Sequence, residues 1–252
     1  MAGTPHPADR PEPNGFGNCR GCPYVTVGPI ATCYDCASAR MKPPDDASCP
    51  ICHQSLPSPG AECVNRLCNS PQRAFESTAV IGVKAGVLER TIWELKQGVR
   101  GWGVIHARIV LGFLYDHPEL VDAVDAIIPT PGMWTEHNGQ RRRDHVGWVI
   151  QQAREQDDQG LPFVLTPPLI KKTQTTRKMR GSNMWERDAV GSELRAALRV
   201  PDPDRVEGLR IMVYDDVFTT GNTLNAVAWK LKEAGARKVY GLTLARQPWS
   251  SR

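Results

Sequence analysis

Eight cysteines, all between Cys19 and Cys68 of a 252-residue chain, restrict the possible folds more than any other feature. They occur as four short knuckles, Cys19-x2-Cys22, Cys33-x2-Cys36, Cys49-x2-Cys52 and Cys63-x4-Cys68, and residues 69–252 contain none. Each knuckle can place two thiolates on one metal ion, and zinc takes four such soft ligands in a tetrahedron, so two closed structural Zn2+ sites are the natural count. Sequential pairing puts Cys19, Cys22, Cys33 and Cys36 on one ion and Cys49, Cys52, Cys63 and Cys68 on the other. Spacing alone also permits interleaving, first knuckle with third and second with fourth. A disulfide framework fits less well. The opening MAGTPHPADRPEPNG lacks the apolar run of a secretory signal, so the thiols are expected to stay reduced, and CxxC is poor spacing for a bridge.

The segregation of cysteine divides the chain into a module at residues 1–75 and a second at 76–252. The first is rich in Pro and Gly and has too few aliphatic residues to offset the ordering of its backbone without a cross-link, which the metals supply. Four thiolates per ion leave no open position for water, which argues against catalytic zinc. His53 is a possible substitute ligand, but eight thiolates already satisfy two ions, and it reads as an ordinary exposed side chain. Basic and acidic residues are equal in number in this module, so it offers no excess charge to a phosphate backbone, and a protein contact or lid role suits it better. Over the whole chain, Lys+Arg 31 against Asp+Glu 27 gives a net charge of +4, too small to indicate nucleic-acid or membrane binding. No stretch reaches the roughly 18 consecutive apolar residues of a membrane span, and the cytoplasm is the expected location.

In the second module strand-like and helix-like segments alternate, which predicts an α/β domain around a mostly parallel sheet. GVLERTIWELKQ at 86–97 carries Val87, Leu88, Ile92 and Leu95 on one helical face, and VIHARIVLGFLYD predicts a second helix. Ala126 to Ile128 form a short strand cut off by PTPG. QRRRDHVGWVIQQAREQ at 140–156 then predicts a helix burying Val146, Val149, Ile150 and Ala153. Further strands are expected at 162–172, 210–216 and 238–245, with a helix near 185–199.

The chemistry concentrates in residues 211–224, IMVYDDVFTTGNTL, a buried strand ending in Asp215 and Asp216 and followed by a small hydroxyl-rich turn. Leu224, Val227, Ala228 and Leu231 then repeat at helical spacing up to Gly235, so the turn lies at a helix N-terminus. Free N–H groups and the positive end of the helix dipole make that turn a receptacle for phosphate. Thr219, Thr220 and Thr223 add hydroxyls, Gly221 permits close approach, and Asn222 is small enough not to obstruct. Asp215 and Asp216 only accept hydrogen bonds, which suits the hydroxyls of an attached sugar, and two adjacent buried acids need a partner to offset their repulsion. A haloacid-type phosphatase would need Asp-x-Asp and a Walker loop a Lys after the glycine; neither is present. The plain alternative is a capped helix behind a solvent-facing acid pair.

This run resembles the phosphoribosyl-pyrophosphate (PRPP) signature of the type I phosphoribosyltransferases. Together with the double zinc-ribbon leader, KAGVLERTIWELKQG, DAIIPTPG and the closing GLTLAR, the chain resembles the ComF/GntX family over nearly its whole length. The resemblance implies a type I phosphoribosyltransferase fold and transfer of ribose 5-phosphate from PRPP, with Mg2+, to a nitrogenous acceptor. It implies Asp215 and Asp216 on the ribose hydroxyls and Thr219, Thr220, Gly221, Asn222 and Thr223 around the 5-phosphate. Pro129, Thr130, Pro131 and Gly132 match the pyrophosphate loop. Lys171, Lys172 and Gln174 fall near the pyrophosphate, with Lys172 grouped with the acid pair as catalytic. Where the family shows an Arg-Gly-Phe-Asn-Gln-like stretch this chain has Arg143, Asp144 and His145, and the Arg-x-x-Asn element is displaced to Arg180–Asn183. His145 reads as an exposed helical side chain, with a proton shuttle as the bolder alternative. The basic stretch from Lys171 to Arg180 reads as a mobile loop closing on an anion or as a solvated charged loop. These departures motivate a second class of function, a PRPP-binding or single-stranded-DNA-associated accessory that docks a protein partner through its zinc module.

Overall fold

A buried apolar run with acids at its end, residues 211–216, becomes the centre of the molecule. The computed structural model describes residues 34–132, 135–137, 140–142, 144–176 and 191–249. Strand β7 (Arg210–Phe218) lies inside a four-stranded sheet of order β1-β8-β7-β2, where β1 is Thr78–Val83, β2 is Ala126–Pro129 and β8 is Lys238–Arg246. All three pairings are parallel. Ile211, Met212, Val213 and Tyr214 are all buried, which is why this strand reads as a continuous apolar run: a parallel sheet is covered on both faces.

The two faces carry different layers. Met212 and Tyr214 join a core with α2 (Gly86–Lys96), α3 (Gly101–Asp116) and α5 (His145–Gln156). α3 is apolar nearly all round, with Ile105, Ile109 and Leu114 fully buried. Helix α1 (Tyr34–Ser38) packs on it, with the Tyr34 ring edge-on to Phe113. Ile211 and Val213 face the other way, into a core built from α6 (Asn222–Glu233) and the cysteine segment, where Cys49, Cys52, Cys63, Cys68 and Phe75 meet Phe218, Leu224 and Val227. The remaining elements are α4 (Pro118–Asp122), the hairpin β3 (Thr135–His137) with β4 (Gln140–Arg142), and the antiparallel pair β5 (Lys171–Lys172) with β6 (Leu198–Arg199).

The expected mixed α/β architecture with a parallel sheet flanked by helices is present. The faces expected of α5 and α6 are those buried. On α2, Leu88, Ile92 and Leu95 are buried as expected and Val87 packs half-buried against the core, while Thr91 is also buried, its hydroxyl bonded to His106 at 3.0 Å. Four elements differ from expectation. Strand β1 was not anticipated; its run TAVIGV pairs with β8. Residues 162–172 do not form a strand: Phe163 bridges Ile127, and only Lys171–Lys172 pair further on. Pro162, Pro167 and Pro168 lack the N–H that a continuous ladder requires. The helix expected from 140 begins at His145, because the Asp144 carboxylate accepts from the Val146 and Gly147 amides and caps it there, and Gln140–Arg142 is strand instead. Of the helix near 185–199, residues 191–196 are helical, Leu198–Arg199 is β6, and 185–190 lie outside the described residues.

Candidate functional site

The register Pro129↔Tyr214 sets the turn after β2 level with the acid pair at the end of β7. Alternation along β7 then sends neighbouring acids to opposite faces. Asp216, 7 % exposed, points to the side of α2 and α5, where its Oδ2 meets Lys96 Nζ at 2.7 Å and His145 Nε2 at 3.0 Å. Asp215 is half-buried, and its Oδ1 accepts from the Asp216 amide at 3.0 Å. Burial, and then the Asp216 charge, push the Asp215 carboxyl up to about 7. Burial would also raise Asp216, but the His145 hydrogen bond and the charges of Lys96 and His145 outweigh it and hold that carboxyl well below the usual range. The partner that the acid pair requires is thus supplied from two helices. His145 is no solvated helical side chain, and Lys96 is a site residue that sequence reasoning missed. Its signal was the demand for a cation, but no sequence pattern says which helix end supplies it.

Past Phe218 the chain turns through Thr219, Thr220 and Gly221 into α6. Gly221 has φ 85° and ψ 0°, the left-handed region, and the N-terminus of α6 has no side-chain cap. A Cβ at Gly221 would meet Phe218 Cζ at 2.5 Å and Leu67 Cδ2 at 3.2 Å. Among the described residues the N–H groups of Thr220, Gly221 and Thr223 meet no acceptor, and the Asn222 amide reaches only Thr220 Oγ1 at 3.5 Å. Unsatisfied amides at a helix start are donors available to an anion.

The turn is braced from behind. Arg246, 2 % exposed at the end of β8, donates through Nη1 to the carbonyls of Phe218, Thr219 and Gln247 and lies over the Phe218 ring at 5.1 Å. The Trp249 indole also donates to the Thr219 carbonyl, at 3.3 Å, and Asn65 Nδ2 to that of Thr220, at 3.2 Å.

Pro129, Pro131, Gly132, Lys171 and Lys172 come together on the wall of a cavity of about 960 Å³, alongside Trp148 and Asp144. Thr130 instead turns inward: its amide and hydroxyl both donate to the Tyr214 carbonyl, at 2.7 and 2.9 Å. Lys172 Nζ donates to Thr176 Oγ1, and burial lowers its pKa. Arg143 and residues 177–190, with the displaced Arg-x-x-Asn element, lie outside the described residues.

The Sγ atoms of Cys49, Cys52, Cys63 and Cys68 all lie within 4.8 Å of one another, and those of Cys52 and Cys63 are 3.7 Å apart. A tetrahedral zinc with bonds near 2.3 Å has ligand–ligand edges of about 3.8 Å. All four are buried, and as free thiols they cannot ionise together. A hydrogen bond from Cys68 lowers Cys52 to about 5 despite burial, while burial and the neighbouring thiolates push Cys63 up to about 12. A divalent cation removes that conflict, so the group could hold a metal ion such as zinc. It is the second set of the sequential pairing. His53 stands outside it, half-buried and at φ 53°. Of the first set, Cys19, Cys22 and Cys33 lie outside the described residues, and Cys36 falls on α1. No helix among the described residues is long and apolar enough to cross a membrane.

No protein-family model matches the chain, and no curated protein matches it.

Proposed function

We propose that the chain is a type I phosphoribosyltransferase of the ComF/GntX kind, transferring ribose 5-phosphate from PRPP to a nitrogenous acceptor with release of pyrophosphate. The observation that carries the reading is the Thr219–Thr223 turn. A left-handed Gly221 opens an uncapped helix directly after a strand that ends in an acid pair. Together they offer amides for a phosphate and carboxylates for the hydroxyls of the sugar bearing it.

In this reading the 5-phosphate sits against the amides and hydroxyls of residues 219–223, and Asp215 and Asp216 take the ribose hydroxyls. The acceptor nitrogen bonds to C1 as the bond from C1 to the pyrophosphate oxygen breaks. Pyrophosphate leaves with the bonding pair, and the proton lost by the acceptor passes to solvent. Positive charge develops over the ribose ring, and the acid pair stabilises it electrostatically, since positioning and charge supply most of the rate in such a step. Asp215 would offer a hard oxygen donor to a magnesium ion carried by the pyrophosphate of the substrate, and such an ion would supply positive charge against the leaving group. Pro129, Pro131, Gly132, Lys171 and Lys172, which wall one cavity, receive the pyrophosphate. Lys96 and His145 hold Asp216 ionised against its burial.

The cysteine group at residues 49–68 takes one structural zinc, and Cys19, Cys22, Cys33 and Cys36 take a second. The test is pyrophosphate release from PRPP and magnesium across a panel of purine, pyrimidine and amine acceptors. Release with one acceptor class, lost in Asp215→Asn, supports transfer. Binding of PRPP without release for any acceptor leaves a PRPP-binding accessory and overturns the enzyme.

A further inference from the structure

We infer that the four-cysteine group is the clamp that aims the amides of the phosphate turn, acting through Asn65 and Arg246. The inference rests on the reading of residues 219–223 as a sugar-phosphate receptacle.

A trans peptide is planar, so a carbonyl held in one direction points the following N–H the opposite way. Arg246 and Trp249 hold the Thr219 carbonyl, which aims the Thr220 amide away from them. Asn65 holds the Thr220 carbonyl, which aims the Gly221 amide away from the cysteine segment. These are two of the unsatisfied donors of the turn. Neither brace is an independent surface contact. Asn65 is 3 % exposed, lies between Cys63 and Cys68, and uses its Oδ1 to accept from the Leu67 amide, starting the short helical turn Arg66–Asn69. The arrangement of Cys63 and Cys68 on one ion therefore sets where its Nδ2 can reach. Arg246 places Nη2 3.9 Å from Cys52 Sγ, so its guanidinium spans from the cysteine group to the turn carbonyls. Leu67 closes over Gly221, and Phe75 meets the Phe218 ring edge-on at 6.1 Å. Two further tethers lie behind: the Ala74 amide donates to Asn225 Oδ1 at 2.7 Å, and Asn225 and Trp229 of α6 donate to the Gln72 carbonyl.

Asn65 and Arg246 are thus positioning residues, and a bound metal acts on ligand affinity without touching the ligand. Binding at either place must then be felt at the other, because coupling is reciprocal.

The experiment uses the full chain loaded with cobalt in place of zinc, whose four-thiolate absorption reports the cysteine site. Ribose 5-phosphate affinity is measured by calorimetry, and backbone amide resonances by nuclear magnetic resonance. Asn65→Ser keeps a capping oxygen for the Leu67 amide but cannot reach Thr220. The expected result is unchanged cobalt absorption, a melting temperature lower by only about 2–4 °C, shifted Thr220 and Gly221 amides, and affinity about three- to tenfold weaker, the effect of one hydrogen bond. In the unaltered protein, ribose 5-phosphate should shift the cobalt bands, and Arg246→Lys, which keeps the charge but loses the fork, should weaken that shift. Unmoved turn amides in Asn65→Ser, or unaltered affinity, overturn the clamp. Absence of any ribose 5-phosphate binding to the unaltered protein overturns the sugar-phosphate reading instead, and the amide resonances then judge the clamp alone.

Discussion

Replacing Lys96 by Met keeps an unbranched side chain one atom shorter and removes the cation 2.7 Å from the buried Asp216 carboxylate. At an effective dielectric of about 20, Coulomb's law gives that pair about 6 kcal/mol. Three features reduce the net cost. Lys96 is 39 % exposed, so water screens it and it lost little hydration on folding. His145 remains 3.0 Å away. Asp216 can also relieve itself by taking a proton. A net loss of about 2 kcal/mol follows, below the usual cost of breaking a fully buried pair. For a chain of this size that lowers the melting temperature by about 4–8 °C, measured by calorimetry with zinc saturating. The pair needs an ionised carboxylate. Asp216 has a depressed folded pKa, so its contribution is full above the unfolded carboxylate range and fades as pH falls toward the folded value. The deficit of Lys96→Met must therefore shrink in acid. In an Asp216→Asn background the same substitution should cost under about 0.5 kcal/mol, since the partner is gone. A change under about 1 °C, or an equal loss in the Asp216→Asn background, would refute the pairing.

Gly221→Ala should weaken PRPP binding by at least tenfold in calorimetry, because φ 85° is unfavourable for alanine and its Cβ would meet Phe218 Cζ at 2.5 Å. Asp215 has a raised folded pKa, so its neutral form dominates in acid; affinity for magnesium PRPP should rise with pH through about 7 and then level off, and Asp215→Asn should remove that step. Cys52→Ser or a strong chelator should release metal from residues 49–68, detected by atomic emission, and lower the thermal midpoint by several degrees through loss of the shared core with Phe218 and Leu224.

The parts legible in the sequence are those fixed by neighbours in the chain. Ile211–Tyr214 reads as a buried central strand because both faces of a parallel sheet are covered, and α5 and α6 show their buried faces at helical spacing. The Thr-Thr-Gly turn is likewise local, whereas ligand spacing leaves two pairings of the cysteine knuckles open and the fold brings Cys49, Cys52, Cys63 and Cys68 together. What escaped is long-range. Asn65 and Thr220 are 155 residues apart, and Lys96 reaches Asp216 only because α2 and β7 share one face of the sheet. Arg246, at the end of an apolar strand, carries no mark of the three carbonyls it holds. The segment 162–172 misleads because its apolar letters suggest a strand while its prolines remove the donors one would need.

In the proposed function, main-chain amides at the start of α6 hold a sugar phosphate whose hydroxyls meet the acid pair. Calorimetric titration of the zinc-loaded chain with PRPP and magnesium tests it most directly. One site per chain, with binding diminished in both Gly221→Ala and Asp215→Asn, is the predicted result; no heat, or heat unchanged in both variants, contradicts it.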